Sequence, residues 1–273
     1  MRIGYQGEAY SYSHRATTEL FDDGEPVGLP SFVACFAALE SGDVQRLVLP
    51  VENSTTGSVL PVLDRLPGNS DHQPISIIAE HLVEVRHALL GLPKATLGTL
   101  TAVKSHPEAL SQAEGRLLEL GLEEIPRPDT AGAVREVAAD GDPSIAALAP
   151  PEAGPPHGLK ILLADVLDRD HNTTRFVVLA VGAARIDAAD DKTTILFTTE
   201  HRPGALALAL TELGLRGANL TRIESRPSNK AWSYHFFVDL EHPPGPAGLE
   251  RVLEPSPATL ERVRVLGSYR AAR

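Results

Sequence analysis

The stretch Asn172-Thr173-Thr174-Arg175-Phe176 runs directly into the apolar, β-branched sequence Val177-Val178-Leu179-Ala180-Val181. The apolar run predicts a buried β-strand. Polar groups at the mouth of such a strand point towards the edge of the sheet, where small ligands bind in open α/β sheets. A turn whose Asn and Thr side chains satisfy nearby backbone groups explains the same pattern. The segment alone therefore leaves a binding site and a turn as equal alternatives.

The composition is that of an ordinary globular protein with an acidic balance. The chain has 273 residues, of which 42% are hydrophobic and 22% are charged, and its formal net charge is −11. This length suggests two domains or one large one. The charge argues against nucleic acid as the main partner, because phosphate binding needs clustered Lys and Arg. A locally positive pocket could still bind a small anion.

Cysteine usage and the start of the chain bear on the cellular compartment. The single cysteine, Cys35, rules out a disulfide framework or a multi-thiolate zinc site within one chain. Residues 1–7 lack the apolar segment of a signal peptide. No apolar run approaches the roughly 18 residues that cross a bilayer. We therefore expect a cytoplasmic protein.

Helix and strand patterns alternate over the first two-thirds of the chain. Pro107 and Gly121 mark the expected start and end of one helix. The alternation predicts an α/β fold with largely parallel sheets. The predicted helices are 31–39, 107–120 and 130–139, and the predicted strands are 47–51, 75–79, 83–90 and 145–149.

The composition changes after residue 182. Residues 183–191 are polar and rich in Ala and Asp, which predicts a linker. Beyond it, residues 192–273 show the order βαββαβ of a ferredoxin-like unit. A unit of about 80 residues can fold as a small domain, and dimerisation would stabilise it further.

Three polar turns are further candidates for ligand contacts. Residues 52–58 follow a predicted strand and combine hydroxyls with glycine-exposed amides, as an anion cradle does. Ser105 opens the helix that contains Gln112, and residues 129–133 open another. Helix capping explains these turns as well, and His106 is more simply a cap or packing residue than a catalytic base. No dinucleotide motif, phosphate loop or metal-ligand spacing occurs, so we expect neither a cofactor nor a metal.

Taken together, these segments resemble the prephenate dehydratase family, which includes the arogenate dehydratases, over nearly the whole chain. Each motif is weak alone, but their common order is specific. The matching motifs are E-N-S at residues 52–54, R-H-x-L at 86–89, S-H-P-E-x-x-x-Q at 105–112, D-T-A-G-A at 129–133, G-L at 158–159 and N-T-T-R-F at 172–176.

The C-terminal region resembles the ACT regulatory domain of the same enzymes, which in relatives binds phenylalanine at a domain interface and inhibits the enzyme. The sequences R-P-G-A-L at residues 202–206, N-L-T-R-I-E-S-R-P at 219–227 and L-G-S-Y at 266–269 carry this match. The residues that it implies for phenylalanine binding are Pro203, Gly204, Ala205, Leu206, Asn219, Leu220, Thr221, Glu224, Ser225 and Arg226.

Three positions depart from the family pattern. Tyr10 stands where the family opening has its second glycine, so the backbone of that loop cannot be assumed. Glu108 replaces a frequent Gln and adds a negative charge near a site for a dianion. Ala113 replaces a common Cys, which suggests that a cysteine is not needed for the chemistry.

The resemblance implies a decarboxylating dehydration that gives an aromatic product without a cofactor. Thr174 would donate a hydrogen bond to the leaving hydroxyl, Arg175 would bind a substrate carboxylate or act as a structural brace, and Phe176 would form an apolar wall. The remaining residues that it implies are Asn53, Ser105 and Gln112 in catalysis, and Glu52, Ser54, Thr130, Thr173 and Ser13 in substrate binding.

The resemblance also implies an architecture and leaves several functions open. We expect a two-lobed, periplasmic-binding-protein-like catalytic domain over residues 1–182, with lobe 1 at about 1–78 and 174–182 and lobe 2 at about 79–173. The expected function is prephenate dehydration regulated by L-phenylalanine, in a homodimer or homotetramer. Arogenate dehydration is the main alternative; a prephenate decarboxylase and a non-catalytic amino-acid sensor are less favoured.

Overall fold

The computed structural model describes residues 1–67, 73–169, 171–228 and 233–273, and shows an α/β protein with two lobes and a C-terminal domain. The predicted fold class is confirmed in this architecture and in the βαββαβ order of the C-terminal domain. Within these described residues, none of the helices has the length and apolarity to span a membrane.

The first part of the chain forms most of lobe 1. Ser31 caps its second helix by accepting a hydrogen bond from the Ala34 amide, and Gly42 ends that helix in a left-handed conformation. The elements are β1 (Arg2–Gln6), α1 (Tyr12–Leu20), β2 (Glu25–Leu29), α2 (Phe32–Ser41), β3 (Arg46–Asn53), β4 (Gly57–Ser58), α3 (Leu60–Leu63) and β5 (Ile75–Glu84).

The second part forms lobe 2, and the third returns to lobe 1 before it forms the C-terminal domain. Lobe 2 contains β6 (Ala88–Gly91), β7 (Ala102–Ser105), α4 (Pro107–Ser111), α5 (Glu114–Glu119), β8 (Glu123–Pro126), α6 (Thr130–Asp140), β9 (Ile145–Ala149) and β10 (Lys160–Leu163). The third part contains β11 (Thr173–Val181), β12 (Lys192–Thr198), α7 (Ala205–Leu215), β13 (Asn219–Pro227), β14 (Tyr234–Glu241), α8 (Pro246–Leu253) and β15 (Glu261–Tyr269).

The sheets are mixed, so the prediction of largely parallel sheets is wrong. The larger sheet has the order β13-β14-β12-β15-β5-β11-β3-β1-β2, with β4 paired to β3, and the smaller has the order β10-β6-β9-β7-β8. In lobe 1, β1 is parallel to β2 and β3, but β11 is antiparallel to both β3 and β5. The reason is that β11 enters lobe 1 from lobe 2, in the direction opposite to the strand that left it.

Two predicted boundaries differ from the structure. Lobe 2 was expected to begin at about residue 79, but β5 stays paired with β11 up to Glu84, and residues 85–87 make the crossing. The helix expected over 107–120 is two short helices, α4 and α5. Asp168 stabilises the break, because its carboxylate accepts hydrogen bonds from the Gly115 and Arg116 amides and its own amide donates to the Gln112 carbonyl.

Lobe 1 and the C-terminal domain share one sheet and one core. β15 pairs in parallel with β5 through Gly267 and Ile77, where a Cβ atom on Gly267 would lie 2.1 Å from the Ile77 carbonyl oxygen. Leu266 and Tyr269 of β15 belong to the same buried cluster as Leu47 of β3. The C-terminal domain is therefore built onto the strands that carry the candidate site.

Candidate active site

Several predicted site residues follow the carboxyl ends of parallel strands. Asn53 ends β3 and Ser105 ends β7, while Thr130 begins α6 just after β8, and Ser13 lies in α1 just after β1. β1 is parallel to β3, and β7 is parallel to β8. Ligands of open α/β sheets bind at such ends, so the topology places these residues at the ligand-binding ends of the two sheets.

Asn53 is the hub of the hydrogen-bond network. Its Oδ1 accepts from the backbone amides of Thr55 (2.9 Å) and Thr56 (3.1 Å), and from the Thr55 hydroxyl at 2.6 Å. A backbone N–H can only donate, so these two bonds fix which end of the Asn53 amide is oxygen. Its Nδ2 therefore faces the other way, towards Asn172 Oδ1 at 2.7 Å and Thr174 Oγ1 at 3.0 Å.

The network closes into a ring that joins the two lobes. Asn172 Nδ2 donates to Gln112 Oε1 at 2.8 Å, and Gln112 Nε2 lies 3.4 Å from the Thr55 hydroxyl, which donates back to Asn53. Gln112 follows α4 of lobe 2, whereas Asn53 and Thr55 belong to lobe 1. We call Asn53, Thr55, Gln112 and Asn172 the amide ring. Its hydrogen bonds all run in the same direction around the ring.

The direction of the amide ring determines what the Thr174 hydroxyl can do. Because Asn53 Nδ2 donates to Thr174 Oγ1, the threonine oxygen acts as an acceptor in that bond. A hydroxyl has one proton of its own to donate. The hydroxyl proton of Thr174 therefore remains available for another partner. Thr174 itself is 9% exposed.

The Arg175 guanidinium is paired with three carboxylates of the protein, which favours the structural brace over the binding of a substrate carboxylate. Its Nε binds Glu52 at 3.1 Å, its Nη1 binds Glu80 at 3.0 Å, and its Nη2 binds Asp239 at 2.5 Å. Side chains alternate along a strand, so this guanidinium lies on the face of β11 opposite to Thr174. Burial disfavours the charged form, but the surrounding carboxylates, Asp239 foremost, raise the pKa of Arg175 overall.

Phe176 packs in the core of lobe 1 rather than forming an open wall. Its side chain is 1% exposed and clusters with Ile3, Val48, Val83 and Val178. The prediction of an apolar surface for the substrate ring is therefore wrong for this side chain. Its packing instead anchors β11 just beyond Thr174.

Other predicted site residues form hydrogen bonds with backbone groups and are not part of the amide ring. Ser105 is fully buried and its hydroxyl donates to the Leu148 carbonyl, so it ties β7 to β9. The Ser54 hydroxyl accepts from the Thr173 amide at 3.0 Å, and the Ser54 amide donates to the Thr173 carbonyl at 2.9 Å. Ser54 and Thr173 thus clamp the ends of β3 and β11 together.

The two helix positions in the prediction lie near helix starts. Thr130 is the first residue of α6, and the side chain of Asp129 caps that helix by accepting from the Gly132 amide. Ser13 lies buried in the first turn of α1, which Ser11 caps. Both positions offer the positive end of a helix dipole to an anion.

Sequence reasoning named His87 only within a motif and did not place it among the site residues. His87 follows the lobe crossing, is 2% exposed, and lies within hydrogen-bond reach of Gln112. Its Nδ1 is 3.3 Å from the Tyr12 hydroxyl, which donates to the Arg86 carbonyl. Burial lowers the pKa of His87 to about 4, so the imidazole is neutral at pH 7. Its place in the R-H-x-L motif was the available signal.

The departures from the family pattern have structural consequences. Tyr10 has a φ of 66°, the left-handed conformation that favours glycine. Glu108 is exposed in the first turn of α4, where a carboxylate suits the helix dipole. Ala113 is fully buried between α4 and α5. Only Tyr10 therefore introduces strain.

The residues predicted to bind phenylalanine occupy the start of α7 and strand β13. Gly204 has a φ of 80° at the start of α7, and Thr221 donates to the Asp239 carbonyl. Arg226 makes two 2.7 Å bonds to Asp64 of lobe 1. Pro203, Ala205 and Leu206 adjoin Gly204, while Asn219, Leu220, Glu224 and Ser225 share β13 with Thr221. Arg226 thus contacts the catalytic part in this structure.

No group of three His, Cys, Asp or Glu side chains suited to a metal ion occurs in the described ranges. The amide ring is a neutral set of donors and acceptors, and beside it lies the available hydroxyl of Thr174. Such a set can orient a small polar molecule and stabilise a developing charge on oxygen.

Two family models match nearly the whole chain. A family model described as prephenate dehydratase matches residues 3–184, and one described as ACT domain matches residues 193–255. The two lobes are thus those of a carbon–oxygen lyase, a dehydratase. The chain belongs to the prephenate dehydratase family and carries a C-terminal ACT domain.

Named relatives align with nearly the whole of this chain. The chain is 36% identical to arogenate dehydratase/prephenate dehydratase 2 of Arabidopsis thaliana, over 98% of this chain and 72% of the relative. It is 33% identical to a bifunctional N-acyl-homoserine lactone acylase/prephenate dehydratase of Komagataeibacter europaeus, over 99% and 96%.

Solved structures agree as well. A structure of prephenate dehydratase in complex with L-Phe from Arthrobacter aurescens has a TM-score of 0.84 at 27% identity, over 100% of this chain and 90% of that one. A structure described as a novel type of quorum quenching acylase has a TM-score of 0.85 at 32% identity, over 100% and 98%.

Proposed function

We propose that the enzyme converts prephenate into phenylpyruvate, carbon dioxide and water. The observation that carries this proposal is the amide ring, which leaves the proton of Thr174 free to donate. As the ring carboxylate leaves as carbon dioxide, its bonding electrons enter the ring and the C–O bond to the ring hydroxyl breaks. The departing hydroxide takes one proton and leaves as water.

The role proposed for Thr174 is to donate a hydrogen bond to the departing oxygen. A threonine hydroxyl is too weak an acid to complete a proton transfer, so stabilisation of the developing negative charge accounts for its effect, and the consumed proton comes ultimately from solvent. Asn53 supports this role because its amide nitrogen donates to Thr174 Oγ1, which leaves the threonine proton for the substrate oxygen. The substrate carboxylates would bind near the N-termini of α1 and α6, at Ser13 and Thr130.

Charge around the site supports prephenate over arogenate. Arogenate carries an ammonium group where prephenate carries a ketone, and a buried ammonium group requires a carboxylate partner. Glu52 and Glu84 are the carboxylates next to the partners of Thr174 on the two neighbouring strands, and they are already paired with Arg175 and Arg86 respectively. The amide ring itself is neutral, which suits a ketone.

Replacement of Thr174 tests the proposal. Thr174→Ala should lower kcat for prephenate by about 10²–10⁴-fold, the usual effect of losing one catalytic group. Thr174→Ser, which keeps a hydroxyl, should retain far more activity. Thr211→Ala, which removes an exposed hydroxyl on α7, is the control. Prephenate and arogenate are supplied separately and the products identified; near-normal turnover by folded Thr174→Ala would refute the role.

We also propose that L-phenylalanine binds the ACT domain and inhibits the enzyme. The resemblance of residues 202–206 and 219–227 to the regulatory motifs supports this, as does the L-Phe complex of the related structure. A ligand that binds the folded state raises the melting temperature. L-phenylalanine should therefore raise Tm and lower the rate, whereas D-phenylalanine should do neither. Indifference of both quantities to L-phenylalanine would overturn this regulation.

A homo-oligomer and a cytoplasmic location complete the proposal. The ACT domain exposes the large apolar side chains Leu208, Leu215, Ile223 and Tyr234, and Leu215 is 83% exposed. Apolar side chains of this size are covered in subunit interfaces. Light scattering at several concentrations should give the mass of a dimer or tetramer, and a mass of 29.2 kDa throughout would contradict it.

Amide hydrolysis of an N-acyl-homoserine lactone is a second candidate. Similarity to the bifunctional Komagataeibacter europaeus protein and to the quorum quenching acylase favours it. The geometry supports it less, because Ser105 is committed to the Leu148 carbonyl and is not available as a nucleophile. The test is to incubate the enzyme with such a lactone and measure the released fatty acid. Release would show a second activity beside dehydration, and no release would rule this candidate out.

A further inference from the structure

A buried set of charges connects the ACT domain to the strand that carries Thr174. Asp239, on β14 of the ACT domain, binds the Arg175 guanidinium of β11. Glu80 of β5 binds the same guanidinium and also accepts two 2.9 Å bonds from Lys192 of β12. Glu52 of β3 binds Arg175 Nε. We call these five residues the charge bridge.

The three carboxylates of the charge bridge are balanced once Arg222, which lies beside it, is counted with Arg175 and Lys192. Arg222 of β13 lies 3.9 Å from Asp239 and donates to the Ser58 hydroxyl at 2.8 Å, so three cations surround three carboxylates. Asp239 is 1% exposed and Arg175 is 7% exposed. Burial opposes ionisation of Asp239, but Arg175 and Arg222 outweigh it and lower the pKa of this carboxyl. Removal of one carboxylate leaves this buried set with an excess positive charge, which is a large perturbation.

The charge bridge acts at a local irregularity of the sheet. Thr174 pairs with Asn53 and Arg175 pairs with Glu52, but Phe176 pairs with Pro50, so β3 contains one extra residue at this point. Such β-bulges change the direction of neighbouring side chains and are frequent near active sites. The position of Thr174 therefore depends on how firmly Arg175 and Glu52 hold this part of the two strands.

We propose that Asp239 of the ACT domain is a positioning residue for the dehydration, acting through Arg175 to hold the Thr174 hydroxyl against Asn53. The inference rests on the function proposed for Thr174. Thr194 supports Asp239 by donating to its second carboxylate oxygen at 2.7 Å. The ACT domain is then a structural part of the catalytic site as well as a candidate ligand-binding domain.

Asp239→Asn tests the inference because it keeps the size of the side chain and removes its charge. The pair with Arg175 weakens without the charge of Asp239 and should hold Thr174 less firmly, so kcat for prephenate should fall by tenfold or more while KM changes less than threefold. The matched control is Asp140→Asn, which removes a carboxylate from buried Lys104 in lobe 2, away from Thr174. The control should leave kcat and KM within twofold.

A double variant separates positioning from general damage. In a Thr174→Ala background the hydroxyl is already absent, so Asp239→Asn should lower the residual kcat by less than twofold. Should Asp239→Asn not fold, Thr194→Val replaces it; it removes the supporting hydrogen bond without a change of charge, and should lower kcat by threefold or more. Circular dichroism and Tm establish that each variant is folded.

The outcomes are distinguishable. Unchanged kcat in folded Asp239→Asn, or an equal loss with and without the Thr174 hydroxyl, would overturn the positioning role while the dehydratase function stands. A wild-type enzyme that does not turn over prephenate, or a fully active Thr174→Ala variant, would overturn both proposals together.

Discussion

Asn53→Asp is the sharpest test of the directed amide ring. The substitution changes one NH2 group to oxygen and keeps the shape of the side chain. In the native protein the amide nitrogen donates to Asn172 at 2.7 Å and to Thr174 at 3.0 Å. A carboxylate cannot donate, so it would accept the Thr174 proton instead. The hydroxyl that should assist the departing oxygen would then be directed away from the substrate.

The structure gives the sizes of the two effects. The hydrogen bond to Asn172 is lost and the one with Thr174 is reversed, so the lost bond should lower the free energy of unfolding by about 0.5–1.5 kcal/mol. Stronger bonds from the Thr55 and Thr56 amides to a carboxylate offset part of the cost of burying it. Because the proton of Thr174 is captured, kcat should fall as far as in Thr174→Ala, by about 10²–10⁴-fold.

Asn53→Ala is the matched comparison. It removes both bonds that Asn53 donates, together with those that its Oδ1 accepts from Thr55 and Thr56, but leaves the Thr174 proton free, so it should retain at least about tenfold more activity than Asn53→Asp. Phenylpyruvate formation is followed for both variants at neutral and acidic pH. Protonation of the introduced carboxylate restores a donor, so the gap between the variants should narrow as the pH falls. The reasoning fails if Asn53→Asp is as active as Asn53→Ala at neutral pH.

Three further predictions concern stability, each measured as the free energy of unfolding in urea. Gly267→Ala places a methyl group 2.1 Å from the Ile77 carbonyl oxygen and should destabilise the protein by about 1–3 kcal/mol, whereas Gly214→Ala, with open space around it, should not. The pKa of buried His87 is about 4, below the value of about 6.5 in the unfolded chain. The folded protein therefore takes up this proton only at a lower pH than the unfolded chain does. The free energy of unfolding should therefore fall by about 3 kcal/mol between pH 6.5 and pH 4, and His87→Asn should lose less over this range. Tyr10→Gly relieves a φ of 66° and should stabilise the protein by up to about 1 kcal/mol, while Tyr10→Ala should bring no such gain.

Local patterns were sufficient for most elements. The N-caps Ser31 and Asp129 and the positive-φ residues Gly42 and Gly141 lie at the ends of their helices because capping depends on residues close in sequence. Breaks that depend on distant partners were missed. The interruption after Gln112 is one of these, since Asp168 stabilises it from more than fifty residues away.

The candidate site divides in the same way. The order of the motifs was enough to name Asn53, Gln112 and Thr174, which the structure brings together. It did not show that Ser105 holds a neighbouring strand, that Phe176 lies in the core, or which end of each amide donates.

Sequence by itself determined the family, the domain order and the residue types that the chemistry uses, because these follow from local pattern and motif order. Only the tertiary structure decided the direction of the amide ring and the role of Arg175. Hydrogen-bond direction depends on every partner in the ring, and the partners of Arg175 come from β3, β5 and β14. Thr174 thus depends on Asn53 on one face of its strand and, through Arg175, on the ACT domain on the other.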